Sequence, residues 1–171
     1  MKTALITGAS FGIGAAFAKT LADQKTDLVL VARSEDKLQQ LAQELTQQHQ
    51  IQTNVINCDL SLPGAAQTLF EKITERGLSI DLLINNAGFG DYGAFAERKL
   101  DKQTDMIQLN ITALVQLTHL FLPAMRQKGF GEIINVASIA GFQALPYMAV
   151  YAATKAFVLN FSEAIWAENK A

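Results

Sequence analysis

Two side chains near the end of the chain stand at a spacing that can move a proton. Tyr151 and Lys155 are four residues apart, so on a helix they share one face. A free phenol titrates near pH 10 and is a poor acid or base at neutrality. A cation beside it favours the phenolate and eases proton exchange. Such pairs occur by chance on many helices, so the pair gains weight only from what converges on it. Ser138 closes an apolar run, and its hydroxyl could donate to a carbonyl oxygen and stabilise charge developing there. Near the start, Thr7-Gly8-Ala9-Ser10-Phe11-Gly12-Ile13-Gly14 joins another apolar run to a helical pattern. Glycines there permit a tight turn and close approach of a phosphate. The free N–H groups and partial positive charge of a helix start favour a pyrophosphate. A dinucleotide-binding turn is expected, with a purely structural turn as the bland alternative. The motif is not a P-loop, because no Gly-Lys-Ser/Thr follows.

These residues need elements to hold them. Short β-branched runs alternate with longer helical stretches. Strands are expected over residues 3–7, Leu28 to Ala32, 52–57, Leu82 to Asn85 and Glu132 to Ser138. Helices are expected over about 12–24, 35–49, 62–76, 105–127 and 149–169. Ser34 and Ser61 stand where helix caps belong, and Pro63 fits a first helical turn. Strands and helices alternating at this spacing, with right-handed crossovers, give an α/β fold with a parallel sheet and helices on both faces.

The end of the second strand selects the nucleotide. An acidic residue there would hold a ribose with free hydroxyls; this chain has Arg33, with Ser34 beside it. Arg33 can pair with a 2′-phosphate, which favours NADP(H) over NAD(H), or it can be a solvated turn residue. Asp59-Leu60 follows the third strand. Asp59 either accepts from an adenine amino group or holds its own turn. Asn85-Asn86-Ala87-Gly88 ends the fourth strand; Asn86, Ala87 and Gly88 are small enough for close cofactor approach, or simply begin a loop. Phe89, Phe95, Phe142, Leu145 and Tyr147 flank the expected cleft, as an apolar pocket or as loop packing.

The chain resembles the short-chain dehydrogenase/reductase family. The resemblance rests on Thr7 to Gly14, Asn85-Asn86-Ala87-Gly88, Asn110, Ser138 and Tyr151-Ala152-Ala153-Thr154-Lys155. It implies a Rossmann-like three-layer sandwich with strand order 3-2-1-4-5 and hydride transfer between NADP(H) and a carbonyl or alcohol, with no metal. By the same resemblance Tyr151 is the general acid/base, and Lys155 binds the nicotinamide ribose and assists it. Ser138 orients the substrate oxygen, and Asn110 holds a relay water through an irregularity in its helix. Gly8, Ser10, Phe11, Gly12, Ile13, Gly14, Arg33, Ser34, Asp59, Leu60, Asn86, Ala87 and Gly88 join Asn110, Tyr151 and Lys155 around the cofactor. The helices near 105–127 and 149–169 look like those that pair subunits, giving a homodimer or homotetramer.

Composition bounds the rest. The chain has 171 residues, half of them apolar, enough for one substantial core and too few for two ordinary domains. With a net charge of −2 and no long basic block, a nucleic-acid stripe is excluded. The single Cys58 excludes an internal disulfide, and His49 and His119 are too few for a histidine-rich metal site. Neither a secretory leader nor an unbroken apolar span is visible, so a cytoplasmic protein without membrane contact is expected. The family's chains continue after the Tyr/Lys helix with further strands and a substrate-covering segment. The expected consequences here are a single domain over 1–171, incomplete at its C-terminal side, and an unpaired fifth strand carrying Ile133, Ile134 and Val136. Phe157, Phe161 and Ile165 recur along the last helix, with Val158, Leu159 and Trp166 on other faces, and are expected in core and interface. A non-enzymatic or partner-dependent dinucleotide-binding protein on the same fold is the alternative reading.

Overall fold

A computed structural model describes residues 2–170 of the chain. Strands β1 (Thr3–Thr7), β2 (Asp27–Ala32), β3 (Thr53–Asn57), β4 (Leu82–Asn85) and β5 (Glu132–Asn135) form one parallel sheet in the order β3-β2-β1-β4-β5. This is the Rossmann-like order expected. Strand side chains alternate between faces, and the two faces have separate cores. Ala4, Ile6, Leu28, Leu30, Leu82 and Ile84 pack against α1 (Gly12–Asp23) and α2 (Glu35–His49). Leu5, Val29, Val31, Ile56 and Leu83 pack against α3 (Ala65–Glu75) and α5 (Leu114–Lys128). Both faces are covered, so these strands read as near-continuous apolar runs.

The longest helical stretch is continuous from Leu100 to Lys128: α4 (Leu100–Ile107), a π-helical turn (Gln108–Ala113) and α5. It starts five residues before the expected position, at 100 rather than 105, and the π turn supplies the irregularity expected at Asn110. By length and composition this stretch could cross a membrane. Here Leu117, Phe121 and Met125 are buried in the sheet core instead. The last helix, α6, spans Ala149–Asn169 as expected. Its Val158 is fully buried, whereas Trp166 faces outward and the outward-leaning Phe157 stacks on Phe161 at 5.8 Å.

Three further expectations need correction. β5 ends at Asn135, not Ser138: Val136 still donates its N–H to Asn85, but its carbonyl accepts from Lys155, so the chain leaves the sheet there. Helix α3 begins at Ala65, with Gly64 at φ +78° in the cap position. Ser61 is instead engaged by Asp59, whose Oδ1 accepts from the Ser61 N–H and hydroxyl at 3.0 and 2.7 Å. Ser34 does precede α2, but its side chain makes no capping bond.

Among the described residues β5 pairs with β4 alone. Ile134 lies opposite Ile84 in register, on the α1/α2 face. Ile84 is fully buried there, whereas Ile134 is 38% exposed. Among the described residues this strand therefore has a single ladder and thin cover on one face.

Candidate active site

The site assembles from the glycine turn outward. Gly8 and Gly12 both have left-handed backbones, φ +67° and +59°, which L side chains adopt only at a cost. A Cβ on Gly14 would lie 2.3 Å from the Gly8 carbonyl oxygen, so α1 can start this close to β1 only with glycine there. Phe11 takes the cap position in extended conformation without a side-chain capping bond, and no acidic residue sits in the first turn of α1. The positive end of the helix is therefore left without an anionic partner of its own. Phe11 and Ile13 point outward, 73% and 60% exposed. An uncapped helix start, a glycine cradle and no competing carboxylate fit a bound pyrophosphate.

Asn86 fastens this turn to β4. Its Nδ2 donates to the Thr7 and Gly8 carbonyls at 2.9 and 3.2 Å, and its N–H donates to the Thr7 hydroxyl at 3.0 Å. Ala87 donates its N–H to the same hydroxyl at 3.0 Å. Both residues thus border the cradle, and the Asn86 amide is spent on building it. At the second strand's end, Arg33 is largely solvent-facing and its Nη1 lies 3.9 Å from Asp59 Oδ2. Asp59 holds its own turn with one oxygen and faces Arg33 with the other, so the turn reading is realised. Ser34 is exposed beside Arg33. The Leu60 side chain is buried in the α3/α5 core, which leaves only its backbone for a ligand.

The chemical end lies past the C-terminal ends of β4 and β5, where open α/β sheets hold their ligands. Asn110, buried inside the π turn, donates Nδ2 to the Phe89 carbonyl at 3.0 Å and accepts from the Phe89 N–H at 3.1 Å. The same Nδ2 donates to the Thr154 hydroxyl at 3.1 Å, which in turn donates to the Tyr151 carbonyl at 2.7 Å. Lys155 is buried and donates to the Val136 carbonyl at 2.7 Å, with Nζ 6.0 Å from the Tyr151 ring centre. Burial pushes its ammonium below the ordinary lysine value. A Cβ on Gly88 would meet Asn110 Oδ1 at 2.9 Å and Lys155 Nζ at 3.7 Å. One on Gly90 would lie 3.1 Å from Tyr151 Cδ2. Ser138 opens a short 3-10 turn, Ile139–Phe142, and its hydroxyl accepts from the Ala140 N–H at 3.2 Å. Gly141 of that turn lets it lie on the backbone of Lys155. Asn110 and Lys155 thus converge on Gly88, and Tyr151 lies against Gly90 two residues on, with Lys155 Nζ 6.0 Å from its ring centre; Ser138 is held beside Lys155 through Val136 and Gly141. The histidines stand apart: His49 ends α2, 3.4 Å from Asp23, and His119 lies in α5.

Sequence reasoning missed Thr154, Gly141 and Asp91. Thr154 was inside the Tyr151–Lys155 motif, and its signal was a hydroxyl on the buried side of the helix. Asp91 was a single carboxylate in a glycine-rich loop, with partners 7, 11 and 12 residues away.

The family model for short chain dehydrogenases matches residues 2–171. The chain belongs to that family. It is 39% identical to a very-long-chain 3-oxoacyl-CoA reductase of Anas platyrhynchos, over 98% of this chain and 54% of that protein. It superimposes with a TM-score of 0.92 and 38% identity on a short-chain dehydrogenase from Sphingobium yanoikuyae solved with NADPH, over 98% of this chain and 65% of that one. A bulky-bulky ketone specific alcohol dehydrogenase from Comamonas testosteroni gives a TM-score of 0.93 at 38% identity, covering 98% and 67%. The chain spans about half the length of the curated relatives it matches.

Proposed function

We propose that these residues form the dinucleotide-binding and proton-transfer part of an NADP(H)-dependent oxidoreductase acting on a carbonyl or alcohol. The observation that carries the reading is the convergence of Asn110 and Lys155 on Gly88, with Tyr151 against Gly90, at the same end of the strands as the uncapped glycine turn. The pyrophosphate would rest on Gly8 to Gly14, and Arg33 would meet a 2′-phosphate. When bound, the nicotinamide supplies or takes the hydride. Tyr151 passes a proton to the substrate oxygen, and the Ser138 hydroxyl donates to that oxygen as charge develops on it. Lys155, fixed by Val136, holds a positive charge on the Tyr151 side of the cleft. Asn110 holds Phe89 and Thr154 so that the cleft's floor keeps its shape.

The substrate side favours bulky apolar carbonyl compounds. Phe95 and Tyr147 line a small cavity beside Asp91 and Gly93, and Ile139 and Phe142, in the turn that follows Ser138, are largely exposed. The matched reductase and alcohol dehydrogenase are named for acyl thioester and bulky ketone substrates, which agrees with such a wall. Outward-facing Trp166 and Phe157 support pairing of copies through α6. One dinucleotide-binding domain and a cytoplasmic setting complete the proposal.

The test is NADPH oxidation by the purified protein against bulky ketones, aldehydes and 3-oxoacyl thioesters. Tyr151→Phe should keep NADPH affinity and lower turnover by about 10²–10⁴-fold. Near-normal turnover in Tyr151→Phe removes the proton-transfer role. Tight NADPH binding without turnover on any substrate favours a non-enzymatic nucleotide-binding protein.

A further inference from the structure

The loop between β4 and α4 contains a carboxylate that the proposed chemistry does not use. The Asp91 side chain is 5% exposed. Its oxygens accept from Arg98 Nε and Nη2 at 2.7 Å each, from Lys102 Nζ at 2.7 Å and from Gln103 Nε2 at 2.9 Å. The fork of Arg98 is the geometry in which a guanidinium holds a carboxylate most firmly. Hydrogen bonding from Arg98 and Lys102 keeps the Asp91 carboxyl well below the usual range. The carboxylate therefore holds its charge toward Arg98 and Lys102 at neutral pH.

What it holds is the short stretch from Phe89 to Gly93. Phe89 is fastened at both backbone groups by Asn110. Gly90 lies flat against the Tyr151 ring, so close that a Cβ would sit 3.1 Å from Cδ2. Gly93 donates its N–H to the Tyr147 carbonyl at 2.9 Å. Gly93 also has φ +150°, and a Cβ there would fall 2.6 Å from Arg98 Cδ, so Arg98 reaches Asp91 across a bare backbone. Tyr147 adopts the left-handed φ +67°, and its ring lies 5.7 Å from that of Tyr92. The stretch is bolted to α4 on one side and to the approach to α6 on the other. Tyr151 rests on the residue between the bolts.

We propose that Asp91 is a positioning residue: with Arg98, Lys102 and Gln103 it presses the Gly90 backbone against the Tyr151 ring and so sets the direction in which the phenol hydroxyl enters the cleft. The proposal rests on the reading of Tyr151 as proton donor for its functional meaning, but the coupling between Asp91 and the ring stands without it. Asp91→Asn removes the charge and turns an amide N–H₂ toward Arg98 or Lys102, which can only donate, so the loop must move; Gln103 can accept by turning its amide but cannot relieve the two cations. Arg98→Lys keeps the charge and loses the two-pronged grip.

The test is fluorine NMR on protein carrying 3-fluorotyrosine, with the Tyr151 signal assigned by Tyr151→Phe among the three tyrosines. In Asp91→Asn the Tyr151 signal should shift and broaden. Turnover should fall about tenfold, with NADPH affinity changed less than twofold. Arg98→Lys should move the signal in the same direction by less, which covers the case in which Asp91→Asn does not fold. An unmoved Tyr151 signal in a folded variant overturns the proposal, whatever happens to thermal stability. A moved signal together with normal turnover in Tyr151→Phe upholds the coupling and removes only the proton-donor reading.

Discussion

Lys155 donates its ammonium to the main-chain carbonyl of Val136 at 2.7 Å, a bond from the middle of α6 to the residue that follows β5. It anchors the positive charge to the sheet and takes the carbonyl that would otherwise extend the strand. Burial lowers the proton affinity of Lys155 in the folded state. Folded protein thus gives up this proton before the unfolded chain does, and stability linked to Lys155 rises with pH between the folded and unfolded values. In catalysis the sign reverses, because the charge is what the phenol needs. The alkaline limb of kcat/KM should lie below the ordinary lysine value near 10.4. Lys155→Arg should push that limb upward while lowering the rate. A pH–rate series in which both proteins share the same limb would assign it elsewhere.

Arg33→Ala should separate the two nicotinamide nucleotides. Arg33 is solvent-facing and only loosely paired with Asp59, so its removal leaves the core intact. Loss of a charge-assisted bond to a 2′-phosphate is worth about 1.5–3 kcal/mol, or at least tenfold in NADPH affinity. NADH affinity should change less than twofold. Fluorescence titration with both nucleotides checks this, and equal losses would refute the assignment.

Asn110→Ala removes three hydrogen bonds at once, to the Phe89 N–H, the Phe89 carbonyl and the Thr154 hydroxyl. Buried polar groups left without partners cost about 1–3 kcal/mol each, less where water enters. The melting temperature should fall by on the order of 5–10 °C. A thermal melt within 1–2 °C of the parent, as an order-of-magnitude threshold, would show that the π turn does not depend on this amide.

Asp81 makes the complementary prediction at the opposite sheet edge. It accepts from the Thr3 N–H at 2.9 Å and from Lys128. Burial works to raise its pKa, but the Lys128 and Thr3 hydrogen bonds prevail and lower it. Its stabilising contribution is therefore present above the unfolded value near 3.9 and lost as pH falls through the lower folded value. Asp81→Asn should melt earlier than the parent at pH 7. The gap should close as both are acidified below about pH 4; a gap independent of pH would assign the effect to shape rather than charge.

Local patterns explain why β4 and α6 were legible to the residue, as Leu82–Asn85 and Ala149–Asn169. A short apolar run between polar residues and a long helical pattern carry their own boundaries. The start of α3 was misread because Ser61 looks like a cap, whereas Asp59 claims it two residues earlier. The end of β5 was misread because Ala137 and Ser138 extend the strand pattern; the bond that stops the ladder comes from Lys155, 19 residues on from Val136. The motif residues at the site were visible as types and spacings. Asp91 was not, because its meaning comes from Arg98 just before α4, from Lys102 and Gln103 on it, and from Tyr151 lying over its neighbour.

The π turn at Gln108–Ala113 makes Leu100–Lys128 a helix with two phases. A π turn holds about one residue more than the α-helical turn it replaces, and each residue advances an α-helix by about 100°. Deleting one residue in this turn would restore a uniform helix, yet rotate everything before it by that angle. Leu117, Phe121 and Met125 would keep their seats on the sheet, while Lys102 and Gln103 swung away from Asp91. Single-residue length changes here are therefore a route by which folding and cleft geometry come apart.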